Sequence, residues 1–178
     1  MITSPVFWLF GRSAAGKTTL AERLVKTLRT RKKTVVHLDG DILRSSVCSD
    51  LGFNAAARLE NHRRIAQFSR ILSDQGIMVI ASTMAPEHSQ RDLVKSILGE
   101  RLVWLFIHAS PEVCAARDPK GIYQKAREGT VSNFTDYPYD LPRAEECRHL
   151  VDTTTGSIEQ CSGQLLQIVA AHSGFSGC

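Results

Sequence analysis

The sequence is poor in features that would place it outside the ordinary globular class. Its five cysteines, Cys48, Cys114, Cys147, Cys161 and Cys178, are odd in number and scattered, with no C-x-x-C pair. That excludes a disulfide frame and a thiolate zinc site, and fits reduced thiols in a cytoplasmic protein. No apolar run approaches the length of a membrane span. The first strand begins almost at once, so no secretory leader is expected. The net charge of +4 suits anionic ligands but is too mild to argue for a nucleic-acid partner. There is no internal repeat and no linker. A single domain over 1–172 is therefore expected, with 173–178 a flexible tail. Neither membrane nor nucleic acid is an expected partner, and the choice between monomer and homodimer stays open.

What is present is concentrated in residues 6–24. The apolar run Val6-Phe7-Trp8-Leu9-Phe10 leads into Gly11-Arg12-Ser13-Ala14-Ala15-Gly16-Lys17-Thr18, and Thr19-Leu20-Ala21-Glu22-Arg23-Leu24 follows with helical apolar spacing. This is G-x-x-x-x-G-K-[ST] in the order strand, loop, helix. Glycines at 11 and 16 permit a curl whose N–H groups point inward, beside the positive end of the next helix. Gly11, Ser13, Ala14, Ala15, Gly16, Lys17, Thr18 and Thr19 form the expected phosphate-binding set. Lys17 can reach the β- and γ-phosphates of ATP, and the Thr18 hydroxyl faces Mg²⁺. A Gly-rich turn with a surface lysine is the plain alternative, and the flanking pattern argues against it.

The rest of the chain alternates. Helix 18–30 is followed by a strand at 34–38 and a long amphipathic helix over 55–75, with Leu59, Ile65, Phe68 and Leu72 on its apolar side. Ile77–Ala81 is an unbroken apolar run, as in a strand covered on both faces. A helix at 86–98, a strand at 102–108, a short helix from Ser110, a short strand at 150–151 and a helix at 157–171 complete the order. Such alternation predicts an α/β fold with a mainly parallel sheet and helices on both faces, the three-layer P-loop NTPase arrangement. Phosphate ligands then sit beyond the carboxyl ends of the strands. Residues 118–143, rich in Lys, Arg, Gly, Pro and Tyr, have the make-up of a mobile lid, with Gly121 and Gly129 as hinges.

No acid follows the strand at 77–81, which ends in Ser82-Thr83, and there is no N-K-x-D guanine reader. The acids stand after the second strand, at Asp39 and Asp41, across from Lys17 and Thr18. One can orient Mg²⁺ or accept the proton of an attacking hydroxyl. An Asp-Gly-Asp turn with two capping carboxylates is the alternative. An acid in this place suits a small-molecule kinase better than a switch GTPase. Arg44 lies three residues past Asp41, Arg58 and Asn61 are i, i+3 partners, and Arg63 and Arg64 follow. Clustered guanidiniums clamp a dianionic group well, although solvated face residues are the plain reading of each arginine singly. Phe53, in a polar loop, can stack on a base or anchor the core.

Several strings together resemble the adenylylsulfate (APS) kinase family: Leu38-Asp39-Gly40-Asp41-x-x-Arg44, Asp50-Leu51-Gly52-Phe53, Arg58-x-Glu60-Asn61-x-Arg63-Arg64, and Pro111-x-x-Val113-Cys114-x-x-Arg117-Asp118-Pro119-Lys120-Gly121 with Asn133-Phe134-Thr135 beyond. The similarity runs from Val6 to about Asp152. It implies an ATP- and Mg²⁺-dependent kinase that phosphorylates the 3′-hydroxyl of adenosine 5′-phosphosulfate. By that resemblance Arg44, Arg58 and Asn61 bind the acceptor nucleotide and Phe53 and Phe134 sandwich its base. Lys120 reaches the acceptor from the lid, Arg117 serves ATP, and Asp39 stands near the attacking hydroxyl. Lys17, Asp39 and Asp41 are the expected catalytic set, Thr18 and Asp39 the expected metal pair, and Asp41 and Ser82 join the substrate-binding residues.

Three departures stand out. Ala14 replaces a glycine, which requires a negative φ there if the Cβ is to be accommodated without strain. The family's Phe-Ile-Ser-Pro-(Tyr/His)-Arg is Thr83-Met84-Ala85-Pro86-Glu87-His88, so a phosphoserine route is closed and positive charge is lost. The family's Phe-Thr-Gly-(Ile/Val)-Asp is shortened to Phe134-Thr135-Asp136-Tyr137-Pro138. The ATP half is intact and the acceptor half altered. A relative with a changed acceptor, such as a cytidine diphosphoramidate kinase, is therefore the second expectation, and a non-catalytic ATP-binding regulator the third.

Overall fold

The computed structural model describes residues 3–118, 121, 123–124 and 139–173. Its centre is β1 (Val6–Phe10), five residues with no exposed surface. Alternate side chains of β1 enter two different cores. Phe7 and Leu9 pack with Leu20, Leu24 and Leu28 of α1 (Lys17–Thr30) and Leu165 and Val169 of the last helix. Val6, Trp8 and Phe10 pack on the other face with Ile65, Ala66, Val94 and Leu98. A strand buried on both faces has no polar side to alternate with, which is why it reads as a continuous apolar run.

After α1 come β2 (Val35–Asp39), a short α2 (Gly40–Arg44) and the long α3 (Ala55–Asp74). Next are β3 (Met78–Ser82), α4 (His88–Leu98), a 3₁₀ turn at Gly99–Arg101 and β4 (Leu102–His108). The described chain closes with α5 (Pro111–Arg117), β5 (Leu150–Asp152) and α6 (Ile158–Ser173). The strands form one parallel sheet in the order β2-β3-β1-β4-β5. The carboxyl ends of β1, β2 and β3 therefore lie side by side, and the loop after β1 leaves the sheet between β3 and β4. The α/β, three-layer expectation holds. The expected lid lies mostly outside the described residues.

Local chemistry sets the helix starts. Asn54 caps α3 by accepting from the Ala57 N–H at 2.8 Å, and Ser110 caps α5 through Val113 at 3.3 Å. In one respect α3 differs from its pattern. Its buried residues are Asn61, His62, Ile65, Ala66, Ser69 and Ser73, while Leu59 and Phe68 are exposed. Ile65 is in the core and Leu72 packs against it as the spacing predicts, but the inward face is polar towards the N-terminal half where it borders a cavity, so Leu59 and Phe68 do not belong to the buried stripe.

Candidate active site

The loop between β1 and α1 is shaped by backbone constraints. Gly11 has φ +150°, and a Cβ there would lie 2.2 Å from the Ile107 carbonyl oxygen of β4. Only glycine lets the loop leave the sheet so close to its neighbour strand. Gly16 stands in the left-handed region at φ +92° and starts α1. Ala14 is left-handed as well, with φ +61°. The negative φ required by its Cβ is thus not what the loop adopts. The curl that aims N–H groups inward needs this conformation, and the chain sustains it at a cost of about 1–2 kcal/mol. Ala14→Gly is expected to leave the melting temperature unchanged or slightly higher, because relieved strain offsets the added unfolded-state entropy. Ala14→Val should lower it by several degrees, since a β-branched residue tolerates left-handed backbone poorly. Thermal unfolding of the three proteins gives the ranking, and a valine protein as stable as the parent would refute it.

Side chains tie the loop down. Lys17 Nζ donates to the carbonyls of Gly11 (3.0 Å) and Arg12 (2.6 Å). The Thr153 hydroxyl, just past β5, is 2.9 Å from the Ala15 carbonyl and 3.1 Å from that of His108. Arg117 donates to Thr153 at its hydroxyl (3.0 Å) and its carbonyl (2.6 Å). Tyr123 donates to the Ser13 carbonyl at 3.2 Å.

Asp39 stands at the end of β2 and caps α2. Its Oδ1 accepts from the N–H groups of Asp41 (2.9 Å) and Ile42 (3.3 Å). Its Oδ2 accepts from the hydroxyls of Thr18 (2.8 Å) and Ser82 (2.8 Å). His37 Nε2 is 2.9 Å from the same Ser82 oxygen. Since the Ser82 hydrogen goes to Asp39, the imidazole is the donor there. Burial pushes the Asp39 carboxyl up, but the bonds from Ser82, Thr18, Asp41 and Ile42 outweigh it and hold the group below its ordinary range. Both oxygens have their lone pairs committed. The Ser82 hydroxyl is turned to Asp39.

A cavity of about 910 Å³ joins these groups to a second cluster. At one end are Ser13, Ala14, Gly16, Lys17, Thr18 and Thr19, with Arg117, Thr153, Gly156, Ile158 and Cys161 beside them. Asp39, Asp41 and Ser82 lie between, with Asp41 exposed in the first turn of α2. At the other end are Arg44, Phe53, Arg58 and Asn61. The Phe53 ring is exposed and lies under the Arg44 guanidinium, 4.8 Å from its centroid. Arg44 donates to the Gly52 carbonyl at 2.7 Å, and Arg58 to that of Phe53 at 2.6 Å. Burial lowers the Arg58 pKa, and Glu87 works against that.

The arginine run does not act as one group. Arg63 is paired with Glu60 at 2.6 Å, and Arg64 with Glu60 at 3.0 Å and Asp50 at 2.6 Å, outside the cavity lining. The two guanidiniums hold the Glu60 carboxyl down at about 2. Lys120 and Phe134 lie outside the described residues. Glu87 and His88 are not in the lining either. Glu87 accepts from the Ser89 hydroxyl at 3.2 Å. His88 accepts at Nδ1 from the buried Arg91 (2.8 Å) and donates its backbone N–H to Asp140 (2.8 Å). Arg91 also donates to the Ala85 carbonyl at 2.7 Å and pairs with buried Glu146 at 3.1 Å, fixing the segment in which Ala85 has φ +42°. The sequence reading missed Thr153, Gly156, Ile158 and Cys161, since only the strand order brings them beside the loop.

A phosphate-cradling loop after the central strand of a parallel 2-3-1-4-5 sheet, facing a carboxylate at the end of β2, defines a P-loop kinase. The family is more particular: the chain belongs to the adenylylsulphate kinases, whose family model matches residues 3–149. The adenylyl-sulfate kinase of Aeromonas salmonicida is 42% identical over 150 residues, covering 83% of this chain and 76% of that protein. That of Clostridium kluyveri is 36% identical over 167 residues, covering 93% and 83%. The Mycobacterium tuberculosis APS kinase, solved with AMPPNP and APS, superposes with a TM-score of 0.88 at 28% identity, covering 95% of this chain and 99% of that one. A Sinorhizobium meliloti gluconokinase, 18% identical with a TM-score of 0.65, shares the fold alone.

Proposed function

We propose that this chain transfers the γ-phosphoryl group of ATP to the 3′-hydroxyl of adenosine 5′-phosphosulfate. The observation that carries this reading is the single cavity with two differently equipped ends. The loop end has the N–H groups, lysine and helix terminus that bind a triphosphate. Arg117 and the 153–161 segment border the space for its base. The far end offers two guanidiniums for an anionic 5′ group and an exposed ring for stacking. Membership in the family, and the APS and AMPPNP bound by the M. tuberculosis relative, support the same pairing of ligands.

The Thr18 hydroxyl oxygen would hold Mg²⁺, with the Asp39 carboxylate 2.8 Å behind it accepting the Thr18 hydrogen and setting a negative charge beside the ion. When bound, the ion neutralises charge on the β- and γ-oxygens. Lys17 exchanges its two loop carbonyls for phosphate oxygens. Asp39, its lone pairs occupied, anchors Thr18 and the start of α2. Asp41 is left to orient the attacking hydroxyl and take its proton. Lys120 and Phe134 would complete the acceptor end.

Reduced thiols and an ATP substrate suit the cytoplasm, and a homodimer is the assembly to test by light scattering. Among the described residues no helix is long and apolar enough to cross a membrane.

The functional test is a panel of acceptors incubated with ATP and Mg²⁺ and followed by phosphorus NMR. APS should be consumed and a cytidine diphosphoramidate should not. The reverse would establish the altered-acceptor reading. Because Glu87 lies outside the cavity lining and is partly exposed, Glu87→Gln should change kcat/KM for APS by less than about 3-fold, as expected of a solvent-screened charge. A gain of tenfold or more would mean that Glu87 repels the acceptor.

A further inference from the structure

Three residues that line the cavity each carry a buried side-chain acceptor with no partner among the described residues: Asn61 Oδ1, His62 Nε2 and Gln90 Oε1. Their residues are only 4%, 6% and 1% exposed. A buried acceptor left unmet is costly, so three on residues lining one cavity call for a common explanation. In His62 the free atom is identified by its neighbour. Nδ1 lies 2.8 Å from the Arg58 carbonyl, which can only accept, so Nδ1 carries the hydrogen and Nε2 is a bare lone pair. Burial lowers this imidazole to about 4, which keeps the ring neutral at physiological pH. Stacking on Trp8, 6.4 Å between centroids, holds it in place.

Unmet acceptors select the kind of group they face. Sulfate and phosphate oxygens at neutral pH are acceptors themselves and are repelled by such a floor, while Arg44 and Arg58 attract them. What satisfies the floor is an N–H or O–H of the nucleoside. With the 3′-hydroxyl engaged in the reaction, the donors left are an exocyclic base amine and the ribose 2′-hydroxyl.

We infer that His62 and Gln90, together with Asn61, are specificity-determining residues that accept hydrogen bonds from the nucleoside of the phosphoryl acceptor. This rests on the acceptor being APS or a close nucleotide, as proposed above. Neither His62 nor Gln90 was among the residues singled out from the sequence.

The test is calorimetric binding to the full chain with MgADP, using APS, its purine analogue without the 6-amino group, and 2′-deoxy-APS. Loss of a donor opposite a buried acceptor should weaken binding of one or both analogues to the wild type by about 10- to 100-fold. The analogue that suffers identifies the donor. In His62→Leu, or in Gln90→Met if the first variant melts early, that preference should collapse to less than about 3-fold, while MgADP affinity stays at the wild-type value. A wild type that binds both analogues like APS, or variants that keep the full preference, would overturn the inference and leave the functional reading standing. Absence of APS binding by the wild type would overturn both.

Discussion

Lys17→Ala should abolish phosphoryl transfer by a factor of about 10² or more while leaving the protein folded. The ammonium sits at the mouth of the loop, donating to the Gly11 and Arg12 carbonyls rather than packing in either core. Alanine keeps the helix, because it is the best helix former and stands at the first position of α1. On the proposed reading, what disappears is a charge that follows the γ-phosphoryl group to its transition state. The effect should fall mainly on kcat, since charge on the transferring oxygens is redistributed during the step. Steady-state kinetics beside a thermal melt provide the check. Turnover within tenfold of the wild type, with an unchanged melt, would remove the loop from the mechanism.

The strands were legible because a parallel sheet covered on both faces writes itself as apolar runs. Val6–Phe10 was read with its observed limits, and Ile77–Ala81 is displaced by one residue from β3. The loop was legible because its constraints are local: two glycines, a lysine and a threonine at fixed spacing. The inner face of α3 was not. A helix that borders a ligand space buries Asn61 and His62, and a hydrophobic pattern reads these as outward-facing. Arg63 and Arg64 stood in the same run as Arg58, and sequence distance could not show that Glu60 and Asp50 would take them. Ala14 failed for a related reason. The loop holds Ala14 in the left-handed region against alanine's own preference, which a residue-by-residue reading does not anticipate. The 153–161 side of the cavity depends on β5 lying two strands from β1, which no local signal encodes.

The two acids after β2 should separate cleanly when each is made neutral. Asp39 is buried, with hydrogen bonds to both oxygens, and its neighbours are Thr18, Ser82 and the first N–H groups of α2. In Asp39→Asn one oxygen still caps α2, and the new amide can meet the Thr18 and Ser82 hydroxyls once these turn to accept. The fold should survive, but the negative charge beside Thr18 is gone. The Mg²⁺ concentration for half-maximal rate should therefore rise by about tenfold or more, with kcat recovering in part at high Mg²⁺. There is an acid-stability counterpart. The folded pKa of Asp39 lies below the unfolded value, so its contribution is present above about pH 4 and fades as the pH falls through the folded pKa. The asparagine protein should lack that part of the acid limb in a pH-dependent melt. Asp41→Asn should behave differently. Its side chain is exposed to the cavity, so stability and Mg²⁺ dependence should hardly change. With Asp41 as the proposed proton acceptor, its loss should lower kcat by about 10²- to 10³-fold with the KM for ATP within about 3-fold. Should Asp41→Asn turn over normally while Asp39→Asn loses kcat at every Mg²⁺ concentration, the proton goes to Asp39 instead, and the hydrogen bonds that fill its lone pairs must open in the ternary complex.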